Sequence, residues 1–187
     1  MRSLFTIFIL FLELGIANAQ NKEYHEYYDN GQKKITGYKT PKGEKTGEWR
    51  SYYESSGKLK EVFKYKNDKV NGQYFLYYPS GGVWISNNFI NGKKEGVAKM
   101  FREKSGKLHS VGNYKNDKAE GIYKVFYETG ELFSETDYVN DKMEGSSKEY
   151  YKSGKLKSVK TYKNGEKIDD KSYYEDGSLK GDYDDLW

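Results

Sequence analysis

The sequence predicts an all-β protein: an elongated, twisted antiparallel meander, one solenoid-like sheet of about seven tandem hairpin repeats of roughly 24 residues. Three observations carry this. A glycine recurs at Gly31, Gly57, Gly81, Gly106, Gly130, Gly154 and Gly177. A second series, Gly47, Gly72, Gly96, Gly121 and Gly145, keeps the same beat. Aromatic pairs precede the first series at Tyr27-Tyr28, Tyr52-Tyr53, Tyr77-Tyr78, Phe126-Tyr127, Tyr150-Tyr151 and Tyr173-Tyr174, with Phe101-Arg102 as a half-kept copy.

The first 19 residues stand apart from this pattern. Arg2 precedes an apolar run from Leu4 to Leu12, and Ala17-Asn18-Ala19 gives a small-x-small cleavage signature. The run is shorter than the ~20 residues a membrane span needs. Residues 1–19 therefore read as a signal peptide and 20–187 as the repeat domain, destined for the periplasm, the outer cell surface or the medium. There is no cysteine, which excludes disulfides, thiolate metal sites, a cysteine nucleophile and a lipoprotein anchor.

Within each repeat the elements follow in order. The aromatic pair and its glycine form a turn, with Ser80, Ser105, Thr129 and Ser153 just before the glycine. An apolar residue opens the next strand at Leu59, Val83, Leu108, Leu132, Leu156 and Leu179. A late aromatic closes it at Tyr65, Phe89, Tyr114, Tyr138 and Tyr162. Then comes a tight-turn pair: Asn67-Asp68, Asn91-Gly92, Asn116-Asp117, Asn140-Asp141 and Asn164-Gly165. These residues tolerate the positive φ that two-residue hairpin turns demand. The glycines of both series are assigned as structural turn residues, supplying positive φ or bare backbone for a ring. Side chains alternate along a strand, so Tyr74, Leu76 and Tyr78 share one face and Gln73, Phe75 and Tyr77 the other.

Aliphatic residues are scarce and Tyr alone numbers 20, so a thick core is excluded and aromatic ladders must hold the sheet. The chemistry of catalysis is missing. His25 and His109 are the two histidines, far apart in sequence, and His109 occupies a slot that is Lys60, Ile85, Phe133 or Lys157 elsewhere. No phosphate loop, nucleophile elbow, metal motif or cofactor motif is present. Residues 164–187 carry three Lys against eight Asp and Glu, a net of −5; residues 20–163 carry 28 basic against 19 acidic, a net of +9. Nearly all those cations are Lys, which recognises phosphate less specifically than Arg, so nucleic acid is not an expected partner.

Three segments carry a family resemblance most clearly: Phe126 to Leu132, Tyr150 to Leu156 and Tyr173 to Leu179. With Tyr52 to Leu59 and Tyr78 to Gly81, they resemble the MORN repeat, specifically its bacterial variant. The resemblance implies an extended sheet of hairpins. It also implies an interaction role, since chains of this kind are often labelled the antitoxin component of a toxin–antitoxin system, and eukaryotic relatives are associated with lipids and scaffolding. The expected function is thus an exported, non-catalytic module binding an unidentified protein partner. Its candidate surface is Trp49, Tyr74, Tyr78, Tyr123, Phe126, Tyr127 and Tyr151, because Tyr pairs apolar area with a polar tip. Weak contact with anionic lipid is the second expectation, and a glycan-active enzyme using paired carboxylates the third.

Overall fold

A computed structural model describes residues 20–181. The proposed signal peptide, and Asp182, Tyr183, Asp184 and Asp185 of the acidic end, lie outside the described residues. The described chain has no helix and forms one open antiparallel sheet of 15 strands. Strand follows strand in meander order: β1 (Lys22–Tyr27), β2 (Lys33–Lys39), β3 (Lys45–Tyr52), β4 (Leu59–Lys66), β5 (Lys69–Tyr77) and β6 (Val83–Ile90). After these come β8 (Gly96–Phe101), β9 (Leu108–Lys115), β11 (Gly121–Phe126), β12 (Leu132–Val139), β13 (Lys142–Tyr150), β14 (Leu156–Lys163) and β15 (Glu166–Ser172). Two-residue pieces, β7 (Lys93–Lys94) and β10 (Lys118–Ala119), pair with β6 and β9 ahead of β8 and β11.

Two kinds of corner produce the zigzag. The short one holds both central residues at positive φ, as at Asn67 (51°) and Asp68 (61°), or Asn140 (52°) and Asp141 (70°). That backbone matches the right-handed twist of the flanking strands. The other corner is bracketed by the second aromatic of each pair. Tyr127 N donates to Glu131 O, and Gly130 N donates back to Tyr127 O; Tyr78 with Gly82 and Gly81 does the same.

The two glycine series do different work. Gly57, Gly81, Gly106, Gly130, Gly154 and Gly177 sit in those corners. Gly47, Gly72, Gly96, Gly121 and Gly145 do not, although the sequence places them at turns: they lie inside or at the start of strands, where the register slips. Between β4 and β5, Phe63 faces Tyr74 but Tyr65 faces Val70, so the stretch around Gly72 bulges out of the ladder. Gly72 holds φ at 110°, and a Cβ there would meet only flexible Lys64 atoms, so backbone conformation selects the glycine rather than space. On its other side each of these glycines pairs directly with a late aromatic, as Gly72 with Phe89 and Gly121 with Tyr138. A second register shift precedes the first aromatic at Tyr27, Tyr52, Tyr77, Phe101, Phe126 and Tyr150, for example between Leu76 and Tyr77. It interrupts the simple alternation expected from Gln73 to Tyr78.

Candidate functional site

The pairing register builds two unlike faces. One carries the row Tyr24, Gly37, Trp49, Phe63, Tyr74, Asn87, Ala98, Gly112, Tyr123, Thr136 and Ser147, stepping across successive strands. Its rings pack edge to face with the late aromatics: Trp49 on Tyr65 at 5.7 Å, Tyr74 on Phe89 at 5.9 Å and Tyr123 on Tyr138 at 6.3 Å between centroids. Phe63 stacks on Tyr74, with the planes 11° apart. Such pairs each contribute about 0.5–1.5 kcal/mol beyond burial.

This ring face corrects part of the expected interaction surface. Trp49 is 0% exposed and is the core residue, so it offers nothing to a partner. Tyr24 and Tyr65 lie against it, Lys45 sits 4.8 Å over its ring, and its indole N–H donates to Thr46 O. Tyr74 donates to Glu61 and Tyr123 donates to Ser110, itself only 3% exposed. Burial, with the charge of Glu61 and its hydrogen bond behind it, holds the Tyr74 phenol well above its ordinary value.

Tyr78, Tyr127 and Tyr151 prove to be staples. Each second aromatic reaches one repeat onward and donates to the backbone carbonyl of the next pair. Tyr28 bonds Tyr52 O, Tyr53 bonds Tyr77 O, Tyr78 bonds Phe101 O, Tyr127 bonds Tyr150 O and Tyr151 bonds Tyr173 O, at 2.6–2.8 Å. Arg102, the apparent lapse in the pattern, does the same work: its guanidinium donates to Phe126 O at 2.5 Å. A guanidinium and a phenol share reach and an outward donor, which is why Arg replaces Tyr here. Tyr127→Phe is expected to lower stability by about 1 kcal/mol. Thermal melting checks it, and Arg102→Tyr should keep the staple.

A second set of bonds, not foreseen from the sequence, runs along the tight turns. Asp68, Asp117 and Asp141 carboxylates accept from the backbone N–H of Lys45, Lys94 and Ala119 in the preceding repeat. Glu95, Glu120 and Glu144 accept from Asn116, Asn140 and Asn164 N–H of the following one. The signal was present in the spacing, since each Glu directly precedes a bulge glycine.

The opposite face carries the row Thr36, Arg50, Val62, Phe75, Ser86, Lys99, Val111, Lys124, Glu135, Lys148 and Val159. Phe126 and the other first aromatics close this face along one side; Tyr52 reaches Thr36 and Tyr150 donates to Glu135 at 2.8 Å. Beside the row stand Val97 and Ile122, 49% and 47% exposed. Two shallow hollows of about 410 and 470 Å³ share Ser86 and Lys99; Phe75, Val83 and Phe101 line the first, and Gln73, Asn88, Glu95 and Val97 the second. Glu135 sits between Lys124 (3.8 Å) and Lys148 (3.7 Å), so part of the positive charge is internally matched.

Tyr150 makes this face sensitive to alkali. Burial first, then its hydrogen bond to Glu135 and that carboxylate's charge, push the phenol from 10.0 up to about 12. The folded state thus holds this proton more tightly than the unfolded chain. Its contribution is complete below pH ~10 and is lost as pH rises towards ~12. Melting temperatures measured across that window should fall, and less steeply in Tyr150→Phe.

Neither histidine is set up for catalysis. His25 lies on β1 with Glu23 at 3.2 Å, and His109 is on β9 with Nδ1 buried and unpartnered, its pKa lowered by burial and then by Arg102. Register places Trp84, not Ile85, in the slot equivalent to His109: Trp84 stacks on Tyr78 as Phe133 packs on Tyr127. Among the described residues no cluster of three or more His, Asp or Glu could hold a metal ion.

A sheet built from two recurring kinds of corner, with nearest-neighbour staples, defines a tandem β-hairpin repeat protein. Three segments, residues 45–67, 119–140 and 143–164, match the family model of the MORN repeat variant. MORN repeats are in general binding repeats rather than catalytic ones, which suggests a repeat-based binding module. No curated protein matches the chain.

Proposed function

We propose that this chain is an exported, non-catalytic scaffold that docks an acidic protein partner on its lysine-lined face. One observation carries the reading: Val97 and Ile122 stand about half exposed on the face that carries Lys99 and Lys124, and Lys99 lines both hollows there. Exposed apolar side chains on a face where Arg50, Lys99, Lys124 and Lys148 outnumber Glu95 and Glu135 suit a partner of net negative charge. Phe126 belongs to this surface; Trp49, Tyr74 and Tyr123 belong to the packing beneath the other. A firm grip on one exported protein is also what an immunity-like role, suggested by the antitoxin label of similar chains, would require.

The test is cross-linking in intact cells, followed by pull-down with the purified chain and with a Val97→Asp/Ile122→Asp variant. An acidic envelope protein should be retained by the first and weakened at least tenfold with the second, at unchanged melting temperature. Equal retention by both would sink the reading. Anionic lipid is the second reading, favoured by the net +9 of residues 20–163. Flotation with phosphatidylglycerol vesicles at low salt, where attraction is strongest, supports it if the chain rises and removes it if not. Export itself predicts a mature N-terminus at Gln20, read by mass spectrometry.

A further inference from the structure

The row of rings on the packed face is interrupted at Ala98, between the rings of Tyr74 and Tyr123, before it ends at Ser147. Two residues after each bulge glycine stand Trp49, Tyr74, Ala98, Tyr123 and Ser147. Trp49, Tyr74 and Tyr123 each fill the space against a late aromatic. Ala98 cannot. Its late aromatic, Tyr114, lacks the ring that Tyr65, Phe89 and Tyr138 receive, and a cavity of about 110 Å³ opens between Tyr114 and Tyr123. On the strands beside it the row holds only Asn87 and Gly112, so nothing from within the sheet fills the space.

The walls of this cavity say what would fit. Tyr114 and Tyr123 supply ring faces and edges, and Ala98 is the floor. A cavity of ~150 Å³ with apolar walls accepts benzene, and this one is open on one side, so a single ring need not be wholly enclosed. Tyr74 and Tyr123 point their hydroxyls at Glu61 and Ser110, each thirteen residues earlier. The residue thirteen before Ala98 is Ile85, which lines the cavity with Met100. Ser110, whose Oγ accepts from Tyr123, lines the same end, and Asn87 lines the cavity as well, so a ring there meets mainly carbon with a few polar atoms beside it. On the side of Tyr114, Lys94 holds its ammonium 4.2 Å above the Tyr114 ring. Among the described residues no carboxylate pairs with Lys94.

We infer that the Ala98 gap is a binding site for one aromatic ring carrying a nearby carboxylate. The ring lies between Tyr114 and Tyr123 with one edge towards Ile85, Met100 and Ser110, and the carboxylate meets Lys94. Such a group is present in a free aryl-acetate and in a phenylalanine beside an aspartate of a partner chain. The site is on the face opposite Val97 and Ile122, so it stands or falls separately from the docking surface above.

The test is amide NMR of the full repeat domain titrated in parallel with phenylacetate, with the capped dipeptide acetyl-Asp-Phe-amide, and with benzylamine. Saturable shifts centred on Ala98, Tyr114 and Tyr123 are expected with phenylacetate or the dipeptide, and whichever binds more tightly names the source of the ring. Benzylamine, carrying the wrong charge for Lys94, should bind at least tenfold more weakly. Ala98→Tyr restores the ring of the neighbouring repeats; it should abolish the shifts while raising the melting temperature by about 2–4 °C. Lys94→Met, which leaves the cavity open, should weaken binding several-fold. Shifts from neither acid, equal binding of benzylamine, or undiminished binding by a folded Ala98→Tyr would each overturn the inference.

Discussion

Trp49→Ala is expected to remove about 3–5 kcal/mol of stability, the usual cost of emptying a buried tryptophan site, and to lower the melting midpoint by on the order of 10 °C. The effect is large because a one-layer sheet has so little else. Trp49 is the fully buried hydrophobic side chain of the described residues, enclosed by Tyr24, Tyr65, Lys45 and the bare backbone of Gly37. Thermal melts followed by far-ultraviolet dichroism measure it. Near-wild-type stability would mean that the indole is not where burial places it. Loss of structure should be steepest around β1 to β4, since each repeat leans only on its neighbours.

Gly37→Ala is expected to be nearly as damaging, by about 1–3 kcal/mol, for the opposite reason. A Cβ built on Gly37 would lie 2.2 Å from Trp49 Cδ2 and 2.4 Å from Cε2. The indole cannot retreat easily, because its N–H is bonded to Thr46 O and rings flank it. Gly37 is not at positive φ, so alanine strains nothing in the backbone and the whole penalty is steric. That gives a sharp control: in a Trp49→Leu background the same Gly37→Ala change should cost far less. A double-mutant cycle should return a coupling of roughly 2 kcal/mol. Additive effects would dissolve the claimed contact.

Much of the architecture was readable because turn chemistry is local. Asn-Asp and Asn-Gly pairs dictate positive φ by themselves, and they stand where the tight turns are. The meander follows once the turns are known. What was not readable depends on diagonal neighbours across strands. Gly37 and Gly112 look like irregular extras beside the periodic glycines, yet they are the ones that let a ring lie on bare backbone, under Trp49 and Tyr123. The periodic glycines, which invite that explanation, mostly meet no side chain and serve their φ instead. Knowing which is which requires the register, and the register is displaced by bulges that composition does not reveal. The same blindness put Trp49 on a contact surface and hid that Tyr78, Tyr127 and Tyr151 staple one repeat to the next. An amphipathic ring in a single sheet is equally suited to partners and to its own next repeat, and only the hydroxyl's destination separates the two. Arg102 was hidden for a simpler reason: residue type concealed a shared donor geometry.

The staples join each hairpin only to the next, and the ring contacts thin out along the chain. On β12 and β13 the ring row gives way to Thr136 and Ser147, joined through their hydroxyls, and β15, the last strand of the described residues, is exposed along nearly its whole length. A pulling force or a protease working from the carboxyl end would therefore meet a graded resistance. The terminal hairpin would peel first, then each predecessor in turn, until the advancing tear reached the indole near the amino end and stalled.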